Sequence, residues 1–109
     1  MRRLGQILKL RAEHRDYYVT HHAAVWPGVL AQIRRSNMRN YSIYLREPEN
    51  LLFGYWEYTG SDYAADMQVL GERAITRKWL GLTDPCQAKL RSAGPDEWWS
   101  TMPEIYHLD

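Results

Sequence analysis

Two β-rich runs in the middle of the chain, Asn40 to Leu45 (NYSIYL) and Leu51 to Tyr58 (LLFGYWEY), constrain the fold more than any other feature. Between them Glu47-Pro48-Glu49-Asn50 has turn chemistry, with proline at its second position. The pair therefore predicts an antiparallel hairpin, and the flanking segments must be read around it. Leu4 to Leu10 (LGQILKL) is a short apolar run that reads as a first strand. Arg11 to Ala24 is polar, proline-free and rich in good helix formers, so it reads as a helix. Pro27 marks a break and a fresh first turn, and Trp26 before it is biased away from helical geometry. Val25, Val29 and Ile33 then recur at helical spacing and carry an amphipathic segment to about Ser36.

Beyond the hairpin, Gly60-Ser61-Asp62 supplies helix-cap residues. Met67, Leu70 and Ala74 give the apolar stripe of a helix that ends before the turn Thr83-Asp84-Pro85. Gly94-Pro95-Asp96 marks a loop, and Pro103 to Leu108 (PEIYHL) reads as a closing strand. The order strand, helix, strand, strand, helix, strand is the split βαβ pattern of an α+β, ferredoxin-like domain: an antiparallel sheet with helices on one face. The 109 residues fit one such domain, 1–109, and no second. One face of the sheet is left bare, and a second copy packed on it, a homodimer, is the expected solution.

Charge excludes several partners. The formal net charge is +1, so no strong field favours nucleic acid or an acidic membrane surface. The basic pairs Arg2-Arg3, Arg34-Arg35 and Arg77-Lys78 sit among acids or apolar residues and read as solvated faces. Cys86 is the single cysteine, so no internal disulfide forms, and without a neighbouring histidine or base it reads as structural. No run suits a signal peptide or a membrane span, which makes a cytoplasmic location the default. Five Trp and eight Tyr accompany a single Phe. Such residues suit a pocket for something both apolar and hydroxylated, although dimer interfaces favour them too.

Tyr18 and His22 stand four apart on the first helix and share a face. Histidine can give and take a proton near neutrality, so His22 is the candidate catalytic residue; helix histidines are also common on surfaces. His21 points elsewhere, and His14 and His107 have no comparable company. Tyr41 shares a strand face with Ile43 and Leu45, where core filling competes with ligand contact. Trp79, near the end of the late helix, can pack in the core or stack on the C–H face of a sugar. No Gly-rich phosphate loop, nucleophile elbow or glycosidase carboxylate pair stands out, and His21 and His22 lack further ligands at metal-site spacing.

The segment Tyr18-Val19-Thr20-His21-His22-Ala23-Ala24-Val25-Trp26-Pro27 resembles the helix signature of the L-rhamnose mutarotases. Asn40 to Leu45 and Asn50 to Phe53 are similar to that family's second and third strands, Lys78-Trp79 and Thr83-Asp84 to its late helix and turn, and Glu104 to Leu108 to its closing strand. The resemblance implies a dimeric α+β barrel that equilibrates the anomers of L-rhamnose without a cofactor. It assigns proton donation to His22 and sugar binding to Tyr18, Tyr41 and Trp79. The family's late helix carries a Trp-Trp pair; here the pair reads Trp79-Leu80, and Trp98-Trp99 lies in a segment that aligns poorly. Haem-binding or quinone-forming monooxygenases of the same barrel architecture, and a non-catalytic dimeric sugar-binding module, are the competing readings, since fold alone does not decide function.

Overall fold

The computed structural model describes residues 1–109. Its first strand, β1 (Arg2–Leu10), lies in the middle of a single antiparallel sheet. The hairpin strands are β2 (Met38–Arg46) and β3 (Leu51–Tyr58), and β3 pairs along the whole of β1 from Arg2↔Tyr58 to Lys9↔Leu51. Two short strands, β4 (Gln87–Ala88) and β5 (Ser100–Met102), lie along the other side of β1. The order β2-β3-β1-β4 is that of a ferredoxin-like sheet, as the element order leads one to expect.

The strand alternation decides which face is covered. Leu52, Trp56 and Tyr58 of β3 and Leu4 and Leu8 of β1 are buried beneath the helices. Burial of each such side chain contributes on the order of 1.5–3 kcal/mol. Leu8, Leu10, Leu52, Tyr18 and Cys86 form one core cluster, and Leu4, Met38, Trp56 and Tyr58 another. The opposite face brings together Ile7, Phe53 and Tyr44 by register, and Tyr44 is 65% exposed there.

Four α-helices cover the inner face: α1 (Arg15–His22), α2 (Pro27–Arg35), α3 (Tyr63–Glu72) and α4 (Ala74–Thr83). The first helix is shorter than the expected span, because Ala12–His14 form a 3-10 turn before it. Trp26 is extended (φ −58°, ψ 135°) and Pro27 opens α2, as a pre-proline residue and a first-turn proline should. Asp62 caps α3 by accepting from the Ala65 backbone N–H. The single late helix is in fact two, divided where Arg73 turns extended (φ −66°, ψ 134°) just after Gly71, a poor helix former. No helix is long and apolar enough to cross a membrane.

The expected closing strand is displaced. Ser100–Met102 pair with β1, whereas Pro103 to Leu108 form no strand. Pro103 lacks the N–H a ladder needs, and beyond it the chain follows no neighbouring strand. Glu104 is tied back to Arg3 by two hydrogen bonds of 2.8 Å, while Ile105, Tyr106 and Leu108 are exposed.

Candidate active site

His22, at the end of α1, lines a cavity of about 290 Å³ with Val25, Val29, Ile33, Tyr41 and Trp79. The volume is at the lower end of the roughly 300–1,000 Å³ typical of small-molecule sites. Val29 and Ile33 of the expected helical stripe lie on α2 and line the cavity; Val25, which the sequence placed on the same helix, lines it from the segment before Pro27, and Ile43 of β2 lines it as well.

Two contacts hold the imidazole. Its Nδ1 lies 2.8 Å from the backbone carbonyl of Tyr18, one turn back, and its ring stacks on the Tyr18 ring at 4.1 Å between centroids. A carbonyl only accepts, so Nδ1 carries the proton, and Nε2 of the neutral ring presents a lone pair. No side chain or backbone group of the protein bonds to that Nε2. Burial pushes the His22 pKa below its ordinary value of 6.5; the Tyr18 carbonyl opposes this and His21 adds to it. Near neutrality, then, the ring is uncharged and ready to accept a proton.

Trp79 of α4 meets His22 edge-on at 5.4 Å, and Trp26 meets Trp79 at 5.1 Å. Trp26, just before the α2 proline, is thus a support for the aromatic wall. The His21 ring lies tilted against Tyr17 at 4.1 Å between centroids, and its Nδ1 bonds the Tyr17 carbonyl.

Tyr41 reaches the cavity because β2 is irregular. Its pairing with β3 slips between Arg39 and Ser42, and Asn40 adopts φ 52°. This bulge shifts the alternation so that Met38 and Tyr41 both face the helices, which regular pleating forbids for residues three apart. The Tyr41 hydroxyl has no hydrogen-bond partner within the chain, and desolvation raises its pKa to about 12, so it stays protonated and able to donate.

Tyr18 does not line the cavity. It is 3% exposed and lies one layer behind His22, its hydroxyl pKa raised chiefly by burial. Sequence reasoning missed what holds it. The Trp98 indole N–H donates to Gln87 Oε1 at 2.7 Å, and Gln87 Nε2 donates to the Tyr18 hydroxyl at 3.1 Å. Trp99 packs against Gly54, where a Cβ would come within 3.3 Å of its ring. Trp98 and Trp99 are therefore supports rather than cavity walls. Cys86 is buried with its thiol pKa pushed up, which suits a structural residue and not a nucleophile.

A second cavity of about 350 Å³ adjoins the first and shares Val29, Ile33, Tyr41 and Trp79 with it. Leu80, the residue after Trp79, lines this second space. No three His, Cys, Asp or Glu side chains come together where they could hold a metal ion.

The family model for L-rhamnose mutarotase matches residues 3–108. The chain belongs to the L-rhamnose mutarotase family. L-rhamnose mutarotases of Oceanobacillus iheyensis and Lactiplantibacillus plantarum are 30% and 28% identical to it, each over the full length of both chains. The crystal structure of the L-rhamnose mutarotase of Formosa agariphila superposes with a TM-score of 0.77 at 21% identity, covering both chains entirely. A Nitrosomonas europaea chain assigned to the antibiotic biosynthesis monooxygenases reaches a TM-score of 0.60 at 11% identity, over 96% of this chain and all of that one. Both likenesses are of fold; membership of the mutarotase family rests on the match along the sequence.

Of the four residues the resemblance implicated, His22, Tyr41 and Trp79 line one cavity, whereas Tyr18, expected to hold the sugar, is buried behind His22 and does not line it. Val29 and Ile33 of the α2 wall were legible as a helical stripe; Val25, read as part of it, comes before the helix begins. Gln87 was not, because its only signal is a contact between segments far apart in the chain.

Proposed function

We propose that this protein is an L-rhamnose mutarotase that equilibrates the α and β anomers of the free sugar, with His22 moving the proton. The observation that carries this reading is the anchored imidazole. Nδ1 is committed to the Tyr18 carbonyl, and Nε2 is unpartnered beside a largely aliphatic hollow that Tyr41 and Trp79 also line. Mutarotation requires the anomeric hydroxyl to lose a proton and the ring oxygen to gain one. Both oxygens are bonded to C1, so one imidazole can serve both. Nε2 takes the proton of the anomeric hydroxyl; the C1–O5 bond breaks with its electron pair going to O5, which takes the proton back from the imidazolium. The open aldehyde rotates about C1–C2, and the reverse sequence closes the ring on the other face of C1. The proton donation expected of His22 from the sequence thus becomes the second half of a relay that begins with acceptance.

Trp79 offers its ring to the C–H face of the sugar and Tyr41 its free hydroxyl, while Tyr18 sets the imidazole in place. General acid–base assistance of this kind typically contributes about 10²–10⁴-fold. The reading extends to the cytoplasm and to a homodimer, the latter supported by the exposed Tyr44 beside the half-buried Ile7 and Phe53 on the outer sheet face and by the exposed Ile105 and Leu108. Saturation-transfer NMR on L-rhamnose tests the activity directly: the protein should speed magnetisation exchange between the two anomeric protons. Exchange no faster than in buffer alone rules the activity out.

A further inference from the structure

The far end of the Tyr18 ring is held by a chain of hydrogen bonds that starts outside the cavity, and its donors fix the direction of each bond. Trp98, in the loop before β5, is 40% exposed, and its indole N–H can only donate. It reaches Gln87 at 2.7 Å, so the edge of the amide that faces it is the oxygen Oε1. The amide NH2 therefore faces the other way, and Nε2 donates to the Tyr18 hydroxyl at 3.1 Å. No other group in the chain bonds that hydroxyl. Gln87 is 4% exposed and is paired with Leu10 of β1, so the sheet fixes its backbone.

The His22 imidazole needs this anchor. Its bond to the Tyr18 carbonyl fixes the position of Nδ1 but leaves the plane of the ring free to tilt. That plane is set by the Tyr18 ring, which stacks on it with 30° between the two planes. Around the phenol, Leu8, Leu10 and Leu52 supply packing, which is without direction. A hydrogen bond is directional, and the one from Gln87 stops the phenol from sliding or turning. Where the phenol sits, the imidazole plane follows, and with it the lone pair of Nε2.

We propose that Gln87 is a positioning residue for the reaction: through Tyr18 it holds the plane of the His22 imidazole, and Trp98 keeps the amide turned the right way. The inference rests on the mutarotase reading above. Neither Gln87 nor Trp98 lines either cavity, so sugar binding does not depend on them. Proton transfer does, because it falls steeply when the reacting atoms are misaligned. Without the Trp98 N–H the amide can turn over and accept from the Tyr18 hydroxyl instead of donating to it. Loss of Trp98 is therefore milder than loss of Gln87.

The experiment measures KM and kcat for anomer exchange of L-rhamnose by NMR, together with Tm, in four variants. These are Gln87→Leu, Trp98→Phe, Tyr18→Phe and the double variant of Gln87→Leu with Tyr18→Phe. Gln87→Leu should lower kcat about 10- to 100-fold, the scale of a small misplacement, with KM nearly unchanged. Trp98→Phe, at a partly exposed position that tolerates the change, should lower kcat by less and again spare KM; it carries the test should Gln87→Leu not fold. A purely structural role would lower Tm and leave kcat per folded molecule alone. Once Tyr18→Phe has removed the hydroxyl, Gln87 has nothing to hold, so adding Gln87→Leu should cost no further kcat, whereas independent sites would multiply their losses. Wild-type kcat in either folded variant, or losses that multiply in the double variant, overturns this inference and leaves the mutarotase reading intact. A wild-type protein that accelerates no exchange overturns both.

Discussion

The His22 ring and the Tyr18 backbone are locked together: Nδ1 lies 2.8 Å from the carbonyl one helical turn earlier, and the two rings stack at 4.1 Å. That single relationship fixes the tautomer, turns Nε2 away from the helix, and ties the acid–base group to a side chain buried in the main core cluster. The bond orients the ring and, because the imidazolium N–H donates more strongly than the neutral one, partly offsets the lowering of the pKa by burial.

The first prediction concerns pH. If neutral His22 starts the reaction, the exchange rate should be flat across neutrality and fall only on the acid side, with its half-point below 6.5, the ordinary histidine value, because burial lowers the folded-state pKa. Stability should move in the same sense. The unfolded chain takes up the proton near 6.5, while the folded chain resists it to lower pH. Stability is therefore full above that value and declines as the pH falls toward the folded-state pKa. An acid limb centred above 6.5 contradicts this account.

Removing the imidazole is the second test. His22→Ala should lower kcat by about 10²–10⁴-fold, and His22→Gln, which keeps a polar side chain but cannot carry a proton, should do no better. Circular dichroism should show both folded, since His22 is only partly buried. Wild-type kcat in either variant removes His22 from the chemistry.

Asn40 gives a third prediction, through the backbone. It holds φ 52° at the bulge that turns Tyr41 inward, a conformation glycine and asparagine accept and β-branched residues resist. Asn40→Val should lose about 1–2 kcal/mol of stability and raise KM by displacing Tyr41. Asn40→Gly should keep KM near wild type although it forgoes the bond from the Asn40 amide to Glu57. Equal KM in the Val and Gly proteins would show that the bulge does not aim Tyr41.

The same bulge shows what could be read from the sequence. Alternation in NYSIYL put Tyr41, Ile43 and Leu45 on one face although the slip falls at its first two residues, because the pairing is regular again from Ser42 onward. It could not reveal that Met38 joins them, since a bulge leaves no mark in polarity. The hairpin, the Trp26-Pro27 break and the Asp62 cap were legible because each is decided by local chemistry. The two-residue strand at Gln87 and the bonds from Trp98 through Gln87 to Tyr18 depend on contacts between distant segments, and the split between α3 and α4 has only Gly71 to mark it in the sequence. The alternating apolar pattern of PEIYHL misled for a related reason: it reports a segment able to pair, not a neighbour within this chain for it to pair with.

Gly54 supports a fourth prediction. It is buried in β3 against the Trp99 ring, and an added Cβ would sit 3.3 Å from that ring. Trp99 packs on the core cluster that contains Tyr18, so pushing it outward should loosen the support beneath His22. Gly54→Val should cost about 1–3 kcal/mol, in the range for overpacking, and shift the tryptophan emission as Trp99 moves. Gly54→Ala should show a smaller loss of Tm. An unchanged Tm for Gly54→Val would mean that Trp99 yields freely and carries no packing role.

The carboxyl-terminal arm tests the proposed homodimer. Ile105 is 95% exposed and Leu108 77%, in an arm held to the domain by the Arg3–Glu104 pair. Apolar side chains this exposed near a bare sheet face mark a surface that another chain covers, and a twofold dimer lets each copy cover the other. Sedimentation velocity should give a dimer for the wild type. Ile105→Asp combined with Leu108→Asp should shift it toward monomer, because two carboxylates would have to be desolvated at the contact. The double variant should retain its far-ultraviolet circular dichroism, since neither residue belongs to a core cluster. A wild type that sediments as a monomer at micromolar concentration removes the dimer; a double variant that stays dimeric moves the interface away from the arm and onto the sheet face of Ile7, Phe53 and Tyr44.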